Sequence, residues 1–119
     1  MERLLEKVKR AGESKIAIIG FPWDENSSFL RGAAQAPTAI RQALHSESTN
    51  LWSETGVDLG DEAVFYDAGD LDLAAVGDVN TTIELAVSLV LERNLLPISL
   101  GGDHSITYPI IKAFNKRHQ

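Results

Sequence analysis

The sequence predicts an α/β fold built on a parallel sheet, and three observations carry that prediction. Short apolar runs with β-branched or aromatic residues occur at 15–20 (KIAIIG), 63–68 (AVFYDA) and 95–100 (LLPISL). Each is followed by a segment whose apolar residues recur at helical spacing, so an opening helix precedes three rounds of strand and helix. No internal repeat, low-complexity tract or linker interrupts this alternation, which places residues 1–119 in a single domain. Right-handed crossovers then bring the loops 21–37, 69–78 and 101–105 to one edge of the sheet. Helices on both faces make a three-layer α/β/α arrangement. About three strands is thin for that architecture, so the chain reads as an opening segment of a larger one.

Residues 2–11 form the first expected helix, with Leu4, Leu5 and Val8 on one side and Gly12 as its stop. Lys15–Gly20 follows as a buried strand. The next stretch, FPWDENSSFLRGAAQAP, is long for a connection between strand and helix, where about 2–6 residues are usual. Such loops are often functional; the alternative is a cover that buries Trp23 and Phe29 against the domain edge. Pro37 suits the first turn of a helix running PTAIRQALH, with Ala39, Ile40, Ala43 and Leu44 expected inward. Ser46–Gly60 is polar and expected to be irregular.

The second strand, Ala63–Ala68, leads into a turn carrying Asp67, Asp70 and Asp72. Their spacing fits no EF-hand loop, and a Gly-containing turn stabilised by Asp side chains is the favoured reading over a cation site. The clearest helix is Val79–Arg93, where Ile83, Ala86, Val87, Val90 and Leu91 make a continuous stripe. Asp78 or Asn80 can cap it, Arg93 suits its negative end, and Asn94 ends it. The third run, Leu95–Leu100, reads as a strand buried on both faces. Residues 105–116 form the last helix, with Ile106, Ile110, Ile111 and Phe114 inward and Pro109 in the first turn.

Composition narrows the function classes. A net charge of −6 argues against general binding to nucleic acid or anionic membranes. Cysteine is absent, which excludes disulfides and thiolate metal sites. The amino terminus lacks a signal-peptide core and no run reaches membrane-spanning length, so a cytoplasmic protein is expected.

The segment LLPISLGGDHS is the centre of the functional reading. Gly101 and Gly102 allow positive φ, leave room for close approach and permit a sharp turn, after which Asp103 and His104 stand at the strand's carboxyl end. Ligands bind at that edge in open parallel sheets. An imidazole beside a carboxylate there serves a metal, a proton transfer or an anchoring hydrogen bond. On spacing alone the better reading is simpler: Asp103 caps the next helix and His104 is exposed.

Four motifs in order change that balance. They are Gly20-Phe21-Pro22-Trp23-Asp24, then Arg31-Gly32 with Ala36-Pro37-Thr38-Ala39-Ile40-Arg41, then Asp67-Ala68-Gly69-Asp70, then Gly101-Gly102-Asp103-His104-Ser105. Together they resemble the amino-terminal third to half of the ureohydrolase family, which includes arginase, agmatinase, formimidoylglutamase and guanidinobutyrase. The resemblance runs over nearly the whole chain beyond residue 15, and the loop after the first strand leans toward the agmatinase and formimidoylglutamase branches. It implies an α/β/α sandwich with a larger sheet and two Mn²⁺ ions bridged by hydroxide. That hydroxide attacks a guanidinium or formimino carbon and releases urea or a related amide. It also implies a small guanidino or formimino substrate and a homo-oligomer. The His of GGDHS is a manganese ligand in this family, which assigns His104 as a metal ligand.

The family's other ligands come from later Asp-Ala-His-x-Asp and Asp-x-Asp motifs, and neither occurs here. Asp67–Asp70 is no substitute, because Gly69 stands where a His is needed and the segment precedes GGDHS. His45 and His118 match no motif and are expected at the surface. No catalytic residue is assigned within the chain. The leading expectation is the amino-terminal portion of a Mn²⁺-dependent ureohydrolase, inactive in isolation. A second is a non-catalytic binding or assembly module on the same fold, its free strand edge covered by a partner. A third is a mononuclear site of His104 and Asp103 with Asp70 or Asp24.

Overall fold

The computed structural model describes residues 1–61 and 64–119. Three strands, β1 (Ile16–Phe21), β2 (Phe65–Asp70) and β3 (Leu96–Gly101), form one parallel sheet in the order β2-β1-β3. Four helices accompany them: α1 (Glu2–Lys9), α2 (Ala36–Leu44), α3 (Val79–Glu92) and α4 (Thr107–Arg117). Each strand begins one or two residues later than its apolar run predicts and extends into the glycine turn; Ala63, the predicted start of β2, lies outside the described residues. None of the described helices is long and apolar enough to cross a membrane.

Register divides the strand residues between two faces. Ala17, Ile19 and Phe21 of β1, all wholly buried, share a face with Pro97 of β3 and Tyr66 of β2. Against it pack Leu4 and Val8 of α1, the α3 stripe, and Ile106 and Ala113 leading into and along α4. Each such large apolar side chain taken fully out of water stabilises the fold by about 1.5–3 kcal/mol. The stripe predicted for α3 is buried throughout. Asp78 caps it, accepting from Thr81 N–H at 3.1 Å, while Asn94 takes a left-handed conformation (φ 56°) just past its end. Glu84 of α3 is buried and clips α4 by pairing with Lys112 at 2.9 Å and with Lys116.

The opposite face, bearing Ile16, Ile18 and Gly20, is covered only in part, by α2. Two expectations fail here. In α2 the inward stripe is Pro37, Arg41 and Leu44, whereas Ala39, Ile40 and Ala43 are exposed. The reason is Arg41, whose guanidinium reaches Asp67 and Asp70 of β2 and turns that side of the helix toward the sheet. β3 is not buried on both faces: Leu96 and Ile98 are 55% and 44% exposed, because β3 is an edge strand and α2 is too short to shield it. On α4, Ile111 is likewise exposed, while Ile110 and Phe114 are partly buried.

Candidate functional site

The three loops after the strands meet at the carboxyl-terminal rim, as the alternation predicts. In the order β2-β1-β3 the chain leaves β1 on one face and reaches β3 by the other, so the β1/β3 boundary is the switch point where α/β sheets bind ligands. Asp103 sits at that boundary and is buried. Its backbone N–H donates to Trp23 O at 2.7 Å, and its carboxylate accepts from Asn26 N–H at 2.8 Å. The other carboxylate oxygen accepts from both the N–H (2.9 Å) and the hydroxyl of Ser105, capping the short 3₁₀ turn His104–Ile106. One side chain thus fastens the loop after β1 to the turn after β3.

Asp24 organises the rest of the long loop. It is buried and accepts from Gly32 N–H at 2.7 Å, Ala34 N–H at 3.2 Å and the Arg31 guanidinium at 3.0–3.1 Å. Those backbone donors, foremost Gly32 and Ala34, with Arg31 adding to them, hold its pKa below the usual carboxylate range. Trp23 is half-buried and its indole N–H donates to Asn26 Oδ1 at 2.8 Å. Phe29, which the alternative reading of the loop as a cover would bury, is 90% exposed, because the loop folds on Asp24 and leaves its tip outside.

His104 is exposed on this rim, its Nδ1 3.2 Å from the Thr107 hydroxyl. It borders a shallow cleft of about 380 Å³ shared with Asn26–Leu30 and Asp103. The simple capping turn and the exposed imidazole are therefore both present. Gly101 and Gly102 correct one expectation: neither has positive φ. A side chain at Gly102 would meet Phe21 O at 2.9 Å and Trp23 O closer still, so glycine is required for close packing of β3 on the β1 exit.

The aspartates after β2 behave as turn residues. Asp67 accepts from Gly69 N–H at 2.8 Å and from Arg41 at 2.8 and 3.0 Å; Asp70 also pairs with Arg41, and Asp72 accepts from Ala74 N–H at 3.2 Å. Burial works against the charge of Asp67, but the Arg41 and Gly69 hydrogen bonds outweigh it and its pKa stays low. The mononuclear site of the third expectation is not assembled: among the described residues no group of three or more His, Asp or Glu is placed to hold a metal ion. His45 and His118 are both exposed. Asp24 and Arg41 are structural anchors that sequence reading did not single out as such; the acid-to-Arg-Gly spacing in the loop and the polar break in the α2 stripe were their only local signals.

Asp24, Asp67, Asp78 and Glu84 all titrate below their ordinary values in the folded chain. Their contribution to stability is complete above the unfolded carboxylate range, about pH 4, and is lost as pH falls through it toward the folded values. Urea midpoints measured from pH 7 down to pH 3 should hold level at first and then fall; a midpoint that rises on acidification contradicts the ion pairing described here.

The arginase family's sequence profile matches residues 14–119. The chain is 38% identical over 122 residues to arginase 1, mitochondrial, of Arabidopsis thaliana, covering 94% of this chain and 36% of that protein. It is 41% identical over 101 residues to a formimidoylglutamase of Halalkalibacterium halodurans, covering 82% and 31%. Among solved structures, an arginase from Medicago truncatula superposes with a TM-score of 0.89 at 32% identity, over 98% of this chain and 42% of that one. The chain spans about a third of the length of the curated relatives it matches.

Proposed function

The chain belongs to the arginase family, and from that premise we propose that it supplies one section of a Mn²⁺-dependent ureohydrolase, an enzyme hydrolysing a C–N bond of a small guanidino or formimino substrate. The observation that carries this reading is His104, exposed at the β1/β3 boundary and fixed there by the buried Asp103. In this reading His104 is a manganese ligand and Asp103 holds its backbone in place without touching the metal.

The described residues do not by themselves fit a manganese pair. Each such ion takes several oxygen and nitrogen donors. His104 offers one nitrogen, while Asp24, Asp70 and Asp103 direct their oxygens to protein N–H groups. The 119-residue chain alone is therefore expected to be inactive. Incubated with Mn²⁺ and arginine, agmatine or formimidoylglutamate, it should release no urea or formamide above a no-protein blank. Turnover at ordinary enzyme rates, with a median of about 10 s⁻¹, would reject the claim that the site is incomplete.

A further inference from the structure

A cavity of about 640 Å³ opens between α1, α2 and the end of β2, and it shares no lining residue with the His104 cleft. Thr38, Arg41, Gln42 and His45 border it at i, i+3, i+4 and i+7, on one face of α2 and its carboxyl-terminal cap. Arg41 donates three of its guanidinium N–H groups to Asp67 and Asp70, which leaves it two more. Lys7 of α1 lines the opposite wall. Its ammonium lies 2.7 Å from where a side chain on Gly69 would begin, so the glycine leaves it room. Among the described residues the side chains of Lys7, Thr38, Gln42 and His45 make no hydrogen bond and no ion pair. The cavity is therefore rich in unused donors, and the one carboxylate oxygen left over is the second oxygen of Asp70.

We propose that this cavity binds a tetrahedral oxyanion, either inorganic phosphate or the phosphate group of a small metabolite. Such a group only accepts hydrogen bonds when fully ionised, and it needs several donors converging from different directions. Here they come from an ammonium, a guanidinium, an imidazole, an amide and a hydroxyl carried on two helices. A cationic ligand fits less well, because Arg41 already engages both carboxylates that would hold it. Charge makes the binding depend on pH. Lys7 of α1 and Arg41 of α2 balance Asp67 and Asp70 of β2, so a proton on His45 tips the cavity positive. Asp67 stays ionised meanwhile, since the Arg41 and Gly69 hydrogen bonds outweigh its burial and the nearby His45 favours its charge.

The test is titration with sulfate, which stays a dianion across the range where histidine changes charge, followed by NMR at constant ionic strength. The rings of His45, His104 and His118 are read together, the latter two as internal controls. Only the His45 ring and the Gln42 side-chain amide should shift saturably, below about 20 mM sulfate. Affinity should be about threefold or more higher at about pH 5.5 than at about pH 7.5, and His45→Gln should abolish that difference. Lys7→Gln should weaken binding by about fivefold or more. Lys9→Gln makes the same charge change on α1 outside the cavity and should leave binding as it was. Phosphate and glycerol phosphate are then compared at about pH 7.5, and the tighter of the two identifies the source of the oxyanion. Three histidine rings that shift alike, no saturation by about 100 mM, or equal losses from Lys7→Gln and Lys9→Gln overturn the proposal. So does sulfate binding that neither phosphate ligand reproduces.

Discussion

Gly102→Ala is expected to unseat the junction between β1 and β3 and to lower stability by about 3 kcal/mol or more. The added methyl group meets the carbonyl oxygens of Phe21 and Trp23, which are backbone atoms and cannot swing aside as a side-chain tip would. Relief requires β3 to draw back from the β1 exit, which stretches the Asp103 N–H to Trp23 O hydrogen bond. Gly77→Ala is the matched control. Nothing lies within 4 Å of a side chain built there, and its φ is not positive, so its stability should change by less than about 0.5 kcal/mol. Denaturant melts of both variants, followed by the near-ultraviolet circular dichroism of Trp23 and Trp52, decide the matter. Equal midpoints for the two would show that the β1/β3 junction tolerates displacement.

Asp103→Ala is the second large effect, expected to cost about 2–4 kcal/mol through the loss of charge-assisted hydrogen bonds. It leaves the Asn26 N–H, Ser105 N–H and Ser105 hydroxyl without their acceptor at a part-buried position. The damage should be local as well as global. Amide exchange at Asn26 and Ser105 should speed up more than exchange in the α3 core, because the Asp103 carboxylate is the acceptor for both, one in the loop after β1 and one in the His104 turn. Asp72→Ala removes one exposed turn hydrogen bond and should be nearly neutral. If Asp103→Ala melts like Asp72→Ala, the clamp has no energetic weight and His104 is not held by it.

Much of this fold was legible locally. The α3 stripe needs only the 3.6-residue period, its ends need only Asp78 and Asn94, and the strand alternation needs only composition. The ordered motifs ending in GGDHS led to the same family that the profile match identifies over residues 14–119. Where reading failed, the missing information was the identity of a distant neighbour. The apolar pattern of α2 is indifferent to whether Ile40 or Arg41 faces the sheet; Asp67 and Asp70, some 26–29 residues away, choose Arg41.

By itself the sequence determined the order of elements, the parallel sheet, the rim on which His104 stands, and the family. Those follow from near-neighbour periodicity and from residue types that act over a few positions. Only the tertiary structure decided that Asp24 anchors the long loop, that Asp103 ties that loop to the turn it caps, that Phe21 and Trp23 are the residues Gly102 packs against, and that β3 is left half-covered. Each of those depends on which backbone atoms meet across the chain, and a linear pattern carries no record of such pairs until folding brings them within contact distance.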